Sequence, residues 1–393
     1  MSDLNPRTQN PIEIARQRLL EVESKLNTMV IGHEDFVKAL MIASVAGEHI
    51  VVIGQPGTAK SYTIRLFAKL VNANFYQYLL TKFTSFDEIF GTVDIVSLSK
   101  GEFRRNWSKI ISSEFVFLDE IFKANSAILN ALLSLLQERV VYDPLSGVPK
   151  EVRLHTAVGA SNETPEDPEL QALYDRFAIR VFISYLEDDK LLLNAIQARW
   201  LNSNIVQPIA SMNDIKTLHQ FALSLMNAKI KELGHEIYRL YHINVVPLVK
   251  SLRSKGVIVS DRTIIEKLPK LYCAYLALYG ITLDNVMSAT YELVQYLARN
   301  REELQSIKKA IEETLGEVAE LAKKLENAKE YIKARNLASA KEVLKDVLNY
   351  DISRLEKTPW LKPRVEAIIQ TARQYLEYIQ QVEEMLEKMS KSM

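Results

Sequence analysis

The sequence contains little cysteine and no long apolar run. Cys273 is the single cysteine among 393 residues, so an intrachain disulfide is excluded and a reducing compartment is expected. No stretch approaches the run of about eighteen apolar residues that indicates a transmembrane helix, so we predict no membrane span. Because the first residues also lack the apolar segment of a secretory signal, we expect a cytoplasmic protein.

An excess of charge of either sign is also missing. Lys and Arg together number 49, as do Asp and Glu, which gives a formal net charge of +0. Tight nucleic-acid binding would then require strong segregation of the basic residues on one face. The hydrophobic content of 48% and the charged content of 25% are typical of a globular protein, and the length predicts two or three domains.

A phosphate-binding motif follows the first predicted strand. The apolar run at 49–53 ends at Gly54, and Gln-Pro-Gly-Thr-Ala-Lys-Ser then leads into an amphipathic helix at 62–70. This order predicts a loop whose N–H groups face a polyphosphate at a helix N-terminus. We expect Lys60 to reach the β- and γ-phosphates and Ser61 to ligate Mg²⁺. The predicted nucleotide-binding residues of this motif are Gly54, Gln55, Pro56, Gly57, Thr58, Ala59, Lys60, Ser61 and Tyr62.

Ala59 departs from the usual motif, which has glycine before the lysine. We predict that alanine is tolerated because this position enters a right-handed helix, which suits alanine better than glycine. Gly54 and Gly57 then provide the places where the backbone approaches phosphate or takes a positive φ. The alternative interpretation of the whole motif is a strand, a turn and a helix whose glycines only form the turn.

A second motif places two carboxylates at the end of a strand. Four apolar residues at 115–118 precede Asp119 and Glu120. At the C-terminal edge of a parallel sheet these acids would lie in the crevice where open α/β sheets bind ligands. We expect Asp119 to hold the Mg²⁺ shell and Glu120 to polarise the attacking water. An exposed acidic turn after an apolar strand is the common alternative.

Two polar residues further along the chain are candidates for the same reaction. Asn162 follows the strand predicted at 156–161 and would fix the water or contact the γ-phosphate, or else cap the next turn. Arg176 follows a short helix at 168–174 and would meet a neighbouring subunit's phosphate, where such an arginine stabilises transition-state charge. A surface ion pair with Asp175 or Glu169 is the alternative for Arg176.

Three residues are weaker candidates for nucleotide contact. Arg262 follows a predicted N-cap, and a cation at a helix start is unfavourable unless it faces an anion. A solvated arginine is the alternative. Val30 and Ile31 lie on a turn before the first sheet strand. They would contact an adenine ring, or else they have only a structural packing role.

The rest of the chain changes character twice. Hairpin patterns are predicted near 93–104 and 140–155. Strands are not predicted after 187, and leucine-rich helices indicate a helical domain at 187–300. From 301 to 393 an apolar seam with steps of three and four predicts a coiled-coil appendage. The seam residues are Leu304, Ile307, Ile311, Leu315, Val318, Leu321, Leu325, Ala328 and Ile332.

Five motifs in combination resemble the MoxR family of AAA+ ATPases, near its RavA branch. They are Gly-Gln-Pro-Gly-Thr-Ala-Lys-Ser at 54–61, Phe-Leu-Asp-Glu-Ile-Phe-Lys-Ala at 117–124, Ala-Ser-Asn-Glu at 160–163, Leu-Tyr-Asp-Arg-Phe at 173–177 and Ser-Asp-Arg at 260–262. The resemblance covers about residues 11–300. The alanine before the lysine resembles the residue usual at this position in the family. The last ninety or so residues fall outside the resemblance.

The resemblance implies an architecture for the chain. It implies an α/β AAA+ core at 11–186 and an all-α lid at 187–300. The residues themselves predict a loose polar tail at 1–10 and the coiled-coil appendage at 301–393. The core would be a parallel five-stranded sheet with two hairpin insertions, which line the central channel in relatives. The family forms a ring, here expected to be a hexamer, with ATP and Mg²⁺ at the subunit interfaces.

The resemblance also implies residue roles. Lys60 and Ser61 would be Walker A residues, and Asp119 and Glu120 would be Walker B residues. Asn162 would be sensor 1. Arg176 would be the arginine finger, and Arg262 would be the sensor 2 residue, acting in its own subunit or on the neighbour's nucleotide.

Three functions are consistent with these motifs. The first is ATP-driven remodelling or maturation of a protein client, together with a von Willebrand factor A-domain partner. The second is a nucleic-acid motor related to minichromosome-maintenance helicases, supported by Arg104, Arg105, Lys109, Lys150 and Arg153 near the hairpins. The zero net charge and the lack of a zinc ribbon or OB-like domain oppose it. The third is an assembly scaffold without turnover, which Glu120, Asn162 and Arg176 oppose because each serves hydrolysis.

Overall fold

The computed structural model describes residues 10–201, 206–226, 231–334, 336–357 and 361–391. Contacts divide the chain into two compact units. The first unit comprises Met1–Tyr238 and Val259–Arg301, and the second comprises Arg239–Ile258 and Glu302–Met393. Residues 239–258 therefore group with the C-terminal helices. The boundaries predicted near 186 and 300 remain predictions, and the predicted tail at 1–10 lies outside the described residues except for Asn10.

The first unit begins with alternating helices and strands. In chain order these are α1 (Pro11–Met29), α2 (Glu34–Ala46), β1 (Ile50–Ile53), α3 (Lys60–Leu70), β2 (Phe75–Leu79), α4 (Phe86–Phe90), β3 (Gly91–Val93), α5 (Ile95–Ser99), β4 (Arg105–Trp107), β5 (Phe115–Asp119), α6 (Ser126–Glu138), β6 (Val140–Tyr142), β7 (Pro149–Glu151), β8 (Thr156–Ser161), α7 (Pro168–Tyr174) and β9 (Ile179–Phe182).

Helices make up the regular structure of the described residues after β9. They are α8 (Asp189–Leu201), α9 (Met212–Met226), α10 (Lys231–Ser254), α11 (Leu268–Tyr279), α12 (Leu283–Gln295), α13 (Arg301–Lys333), α14 (Leu337–Leu348) and α15 (Lys362–Lys391), with a π-helical turn at Thr263–Lys267. No helix in the described part of the chain is long and apolar enough to cross a membrane.

The central sheet has five strands in the order β2-β5-β8-β1-β9, and every pairing is parallel. This confirms the predicted parallel five-stranded sheet. The three central strands are almost wholly buried, which explains why their sequences are continuous apolar runs rather than alternating patterns. The register pairs Ile53 with Ser161 and Leu118 with Gly159, so the carboxyl ends of β1, β5 and β8 meet at one edge.

The first hairpin differs from its prediction. Its strands are β3 and β4, paired antiparallel with Gly91 opposite Trp107. The expected strand and turn at 95–99 instead form the short helix α5. The reason is local, because Asp94 accepts a hydrogen bond from the Val96 N–H at 3.1 Å and so caps a helical turn.

The second hairpin matches its prediction at the turn and differs at one strand. β6 pairs with β7, with Val140 opposite Glu151. The Asp143 carboxylate accepts the N–H groups of Leu145 at 2.9 Å and Ser146 at 3.1 Å, which fixes the predicted turn. The returning strand β7 ends at Glu151, so the hairpin is shorter than the predicted segment, which extends to 155.

A buried arginine joins the two hairpins. Arg105 on β4 donates from Nε to the Asp143 carboxylate at 2.5 Å, and it also bonds the Asp87 carboxylate and the Gly91 carbonyl. The side chains of Arg105 and Asp143 are each 2% exposed. Arg105 therefore serves an internal ion pair, and its suggested contact with nucleic acid is not supported.

In the second unit the predicted seam of α13 is an apolar face. Its buried members are Ile307, Ile311, Val318, Leu321, Leu325 and Ala328. The side chain of Leu315 lies outside the described residues. The following helix, α14, ends at Leu348, and α15 begins at Lys362 and buries Ala372 and Ile379.

Three histidines pack around the turn between α2 and β1. His49 Nδ1 accepts the Ala157 N–H at 2.9 Å, and its Nε2 lies 2.8 Å from the Leu136 carbonyl. The His155 ring lies edge-on to His219 at 5.3 Å, and its Nε2 is 2.7 Å from the Ser44 carbonyl. Burial lowers the pKa of His155 to about 4, assisted by the nearby His219 and Arg139, and lowers the pKa of His49 as well.

Acid should destabilise the first unit through His155. Its pKa falls from the ordinary 6.5 to about 4 on folding, so the unfolded chain takes up this proton first as the pH decreases. Neutral His155 therefore contributes up to about 3 kcal/mol to the free energy of unfolding. This contribution is complete above about pH 6.5 and is lost by about pH 4. In urea unfolding at about pH 7 and about pH 4.5, His155→Gln should lose less stability than the wild type, because glutamine does not titrate. An equal loss in both proteins would assign the acid sensitivity to other groups.

Candidate functional site

The phosphate-binding loop connects β1 to α3 and contains two left-handed residues. Gly57 has φ 84° and Ala59 has φ 60°. The positive φ at Gly57 agrees with the prediction. The prediction for Ala59 is wrong, because this residue is in the left-handed region, where glycine is favoured, and helical geometry begins only at Lys60.

Gly54 is required by a close contact inside the protein. A Cβ at this position would lie 2.6 Å from the Ile183 carbonyl oxygen, just after β9. The Gly54 N–H also donates to the Ser161 carbonyl at 3.0 Å. Its missing side chain therefore lets the loop leave the sheet between β8 and β9.

Lys60 has neutral partners and a buried side chain. Its ammonium group donates to the carbonyls of Gly54 and Gln55, the latter at 3.1 Å, and to Asn162 Oδ1 at 3.1 Å. Burial lowers its pKa, and the nearby carboxylates of Asp119 and Glu120 partly offset this effect. A positive charge next to the N-terminus of α3, with no carboxylate of the described residues in direct contact, fits a polyphosphate.

Asn162 connects the lysine of the loop to the acid of β5. Its Oδ1 accepts from Lys60, and its Nδ2 donates to Glu120 Oε1 at 2.8 Å. The amide orientation is fixed chemically, since an ammonium group only donates and a carboxylate only accepts. Lys123 lies 3.3 Å from the other Glu120 oxygen. Glu120 itself has φ 53°, a strained conformation for a non-glycine residue that is typical of functional sites.

Ser61 and Asp119 form the predicted pair for a metal ion. The Ser61 hydroxyl donates to Asp119 Oδ2 at 3.2 Å, and Asp119 Oδ1 accepts the Glu120 N–H at 3.1 Å. A hydroxyl and a carboxylate oxygen suit Mg²⁺, which uses few protein ligands and completes its shell with phosphates and water. The described residues contain no group of three His, Cys, Asp or Glu that could hold a metal without a substrate.

Two residues that the sequence did not indicate close the same edge of the sheet. Tyr185 donates its hydroxyl to the Pro56 carbonyl at 2.8 Å. A Cβ on Gly32 would lie 2.3 Å from Leu186, so this leucine packs on the turn that carries Val30 and Ile31. Val30 is buried and Ile31 is half-buried. Only the position of 185–186 after a sheet strand could have suggested them.

Tyr62 is held by a helix that follows this segment. The guanidinium group of Arg199 on α8 lies 5.7 Å from the centre of the Tyr62 ring. The structure therefore assigns Tyr62 a stacking partner in addition to its place after Ser61.

Arg176 lies at the opposite edge of the sheet. The N–H groups of Ala178 and Ile179 donate to the His49 carbonyl, so Arg176 lies beyond the amino end of β1. Gly54 is five residues further along β1 than His49, about 17 Å of extended chain. Arg176 is thus placed away from Lys60 of its own chain, farther than an arginine side chain extends.

The ion pair considered for Arg176 is made by other residues. Asp175 accepts from Arg299 at 2.6 Å and from Arg180 at 3.2 Å. Arg176 makes no ion pair within the described residues, and its Nε is buried without a hydrogen-bond partner. The backbone turn is fixed from its other side, because Lys267 donates to the Asp175 carbonyl at 2.5 Å.

Arg262 lies on the helix that contacts this turn. It begins the helical segment capped by Ser260, whose hydroxyl accepts the Thr263 N–H at 3.2 Å. Arg262 pairs with Glu266 at 2.9 Å and is exposed. Lys270 on the same segment pairs with Glu48 at 2.8 Å, directly before His49. The helix start that bears Arg262 is therefore attached to the Arg176 edge of the sheet.

The fold and the loop between β1 and α3 together have the arrangement of a P-loop α/β protein. A family model described as the MoxR domain in the MoxR-vWA-beta-propeller ternary systems matches residues 17–221, more than half of the chain. This chain belongs to the MoxR family of AAA+ ATPases, as its motifs indicated. The match favours this family over the helicase alternative.

Individual proteins agree with the assignment. An uncharacterised protein of Methanocaldococcus jannaschii is 34% identical over 263 residues, which are 66% of this chain and 66% of that protein, slightly less than two thirds. The chaperone MoxR1 of Mycobacterium tuberculosis is 26% identical over 117 residues, 30% of each chain. A crystal structure of a candidate ATPase from Cytophaga hutchinsonii has a TM-score of 0.56 at 20% identity, covering 76% of this chain and 96% of that one, which shows a shared fold.

Replacing Ala59 with glycine should leave the protein as stable as before or slightly more stable. Glycine relieves the left-handed strain at φ 60° but loses more backbone entropy on folding, and each effect is about 1 kcal/mol. In urea unfolding we expect Ala59→Gly to change the free energy of unfolding by less than about 1 kcal/mol. The matched control, Gly57→Ala at φ 84°, should be destabilised by about 1 kcal/mol. A larger loss for Ala59→Gly would show that the methyl group has a packing role.

Proposed function

We propose that this protein hydrolyses ATP at sites shared between neighbouring copies in a ring, and uses the cycle to remodel a protein client. The observation that carries the proposal is the separation of the site into two halves. Lys60, Ser61, Asp119, Glu120 and Asn162 lie at one edge of the sheet, and Arg176 lies at the other. One chain provides both halves but cannot bring them to the same nucleotide.

The first half contains the groups that bind ATP and activate water. The loop N–H groups and Lys60 contact the phosphates, and Val30, Ile31, Tyr185 and Leu186 enclose the base and the loop. Mg²⁺ held by Ser61 and Asp119 would neutralise phosphate charge and align the oxygens.

Glu120 accepts the proton of the attacking water or orients that water toward the γ-phosphate. Asn162 positions Glu120 through its 2.8 Å hydrogen bond and also contacts Lys60, so it responds to both the phosphate and the base.

The second half is supplied by the adjoining subunit. Arg176 lies beyond the amino end of β1, and Arg262 is attached to the same edge through Lys267 and Lys270. We therefore assign both arginines to the neighbour's nucleotide, with Arg176 as the finger and Arg262 as the sensor 2 residue. An edge that meets a different edge of the next copy is a heterologous contact, which forms a ring when the rotation between copies closes. We propose a hexamer.

The client and partner follow from the family rather than from the site. The matching family model is named for systems that combine MoxR with a vWA protein, so a von Willebrand factor A-domain partner is proposed. Placement near the RavA branch is part of the same proposal. The two hairpins, joined by Arg105, would face the client in the channel, with the helices after 187 acting as the lid and those after 301 as a contact module.

Replacing Glu120 with glutamine should stop turnover while leaving ATP binding intact. Glutamine can still accept the Asn162 hydrogen bond, but it lacks the charge that attracts a proton, so the rate constant should fall at least about 100-fold. Calorimetric ATP binding and single-turnover phosphate release test this. Glu138→Gln, which changes an exposed acid at the end of α6, is the control and should behave as the wild type. Unchanged hydrolysis by Glu120→Gln would remove Glu120 from its role.

Mixing two inactive variants should restore activity if Arg176 acts on the neighbour. Arg176→Ala should lower the rate of ATP hydrolysis by a factor of about 10³–10⁵, and Lys60→Ala should lose the contact between the lysine and the phosphates. In a one-to-one mixture about a quarter of the interfaces combine an intact loop with an intact finger. Steady-state phosphate release should then recover toward that fraction. Arg373→Ala, which changes an exposed arginine on α15, is the control both alone and in the mixtures. No recovery in rings shown to be mixed would contradict the trans assignment.

A further inference from the structure

The helix α8 exposes an unusual amount of apolar surface. Three consecutive leucines, Leu191, Leu192 and Leu193, are all exposed, as are Ile196 and Trp200. Leu193 is 65% exposed and Trp200 is 84% exposed. Single exposed apolar residues are ordinary, but a contiguous set on one helix indicates a surface that another molecule covers.

The position of α8 identifies which part of the molecule this surface borders. The helix follows the segment in which Tyr185 bonds the Pro56 carbonyl and Leu186 packs on Gly32. Near its other end, Arg199 stacks on Tyr62, directly after the Walker A serine. The exposed helix therefore lies beside the nucleotide half-site that needs a neighbour's arginine.

The opposite edge carries a matching apolar residue. Ile265 lies on the π-helical turn between Arg262 and Lys267 and is 73% exposed. Lys267 attaches this turn to Asp175, the residue before Arg176. A copy that delivers Arg176 and Arg262 to a nucleotide thus also brings an exposed isoleucine toward the same half-site.

We propose that α8 is the docking surface for a second copy of this chain, and that the helix start at Arg262–Lys267 of that copy packs on it through Ile265. The inference rests on the proposed function, because the trans position of Arg176 selects the occupant. It adds that the contact is heterologous, with α8 on one copy and the 262–267 segment on the next. Burial of this apolar surface holds the finger at the nucleotide.

A charged substitution on α8 tests the inference in the full-length chain. With ATP present, Leu193→Glu should raise the concentration needed for ring assembly at least about tenfold, measured by sedimentation velocity. Circular dichroism should be unchanged, because Leu193 is exposed in the subunit. Tyr378→Glu, an exposed aromatic on α15, is the matched control and should assemble as the wild type. Normal assembly by a folded Leu193→Glu protein would overturn the inference.

Cysteine pairing tests the orientation of the contact. Leu193→Cys and Ile265→Cys proteins are mixed and treated with a short bifunctional maleimide. We expect a dimer band from the mixture and none from either protein alone. The native Cys273 should not react, because burial raises the pKa of its thiol to about 12. Linking of either single variant to itself would contradict the heterologous contact.

The fluorescence of Trp200 separates the possible occupants. The difference between wild type and Trp200→Phe should show a solvent-exposed tryptophan in the dilute subunit and a buried one after assembly. A buried signal at every concentration would mean that α8 is covered within its own chain, which overturns the inference.

If the wild type forms no ring and hydrolyses ATP at a concentration-independent rate, the proposed function fails. If the ring forms and Leu193→Glu has no effect, only the α8 assignment fails.

Discussion

The hydrogen bonds of one amide group organise this site. Asn162 accepts from the Lys60 ammonium and donates to the Glu120 carboxylate, so the lysine of the loop and the acid after β5 are joined by one side chain. This arrangement depends on the parallel register, which brings the ends of β1, β5 and β8 to the same edge. The left-handed backbone of Glu120 costs free energy, and the ordered strands on both sides maintain it.

The length of the strands is the second constraint, because it separates the two ends of the sheet. A parallel strand places residues at its two ends in different environments, and Arg176 lies at the end away from the phosphate loop. The cluster of Asp175, Arg180, Arg299 and Lys267 holds the backbone of this turn while Arg176 remains outside the ion pairs. In the proposed role of Arg176, a cation held in this way would not need to rearrange when the transition state forms.

Much of the core could be predicted from the sequence because its signals are local. Continuous apolar runs ending in Gly54 or Asp119 predict buried parallel strands, and β1 and β5 are such strands. The conformation of Ala59 could not be predicted this way, since the loop packing sets its φ rather than its own helix propensity. The contacts of Tyr185 and Leu186, and the exposure of α8, also depend on residues distant in the chain.

The ion pair between Arg105 and Asp143 has a mechanical consequence. Both side chains are sheltered from water, and removing Arg105 would leave the buried Asp143 carboxylate without its charged partner, a cost of about 3–5 kcal/mol. The two hairpins therefore resist separation and bear load as a single stiff element. The second hairpin follows α6, which starts a few residues after Glu120, so one helix connects the joined hairpins to the end of the sheet that carries Glu120.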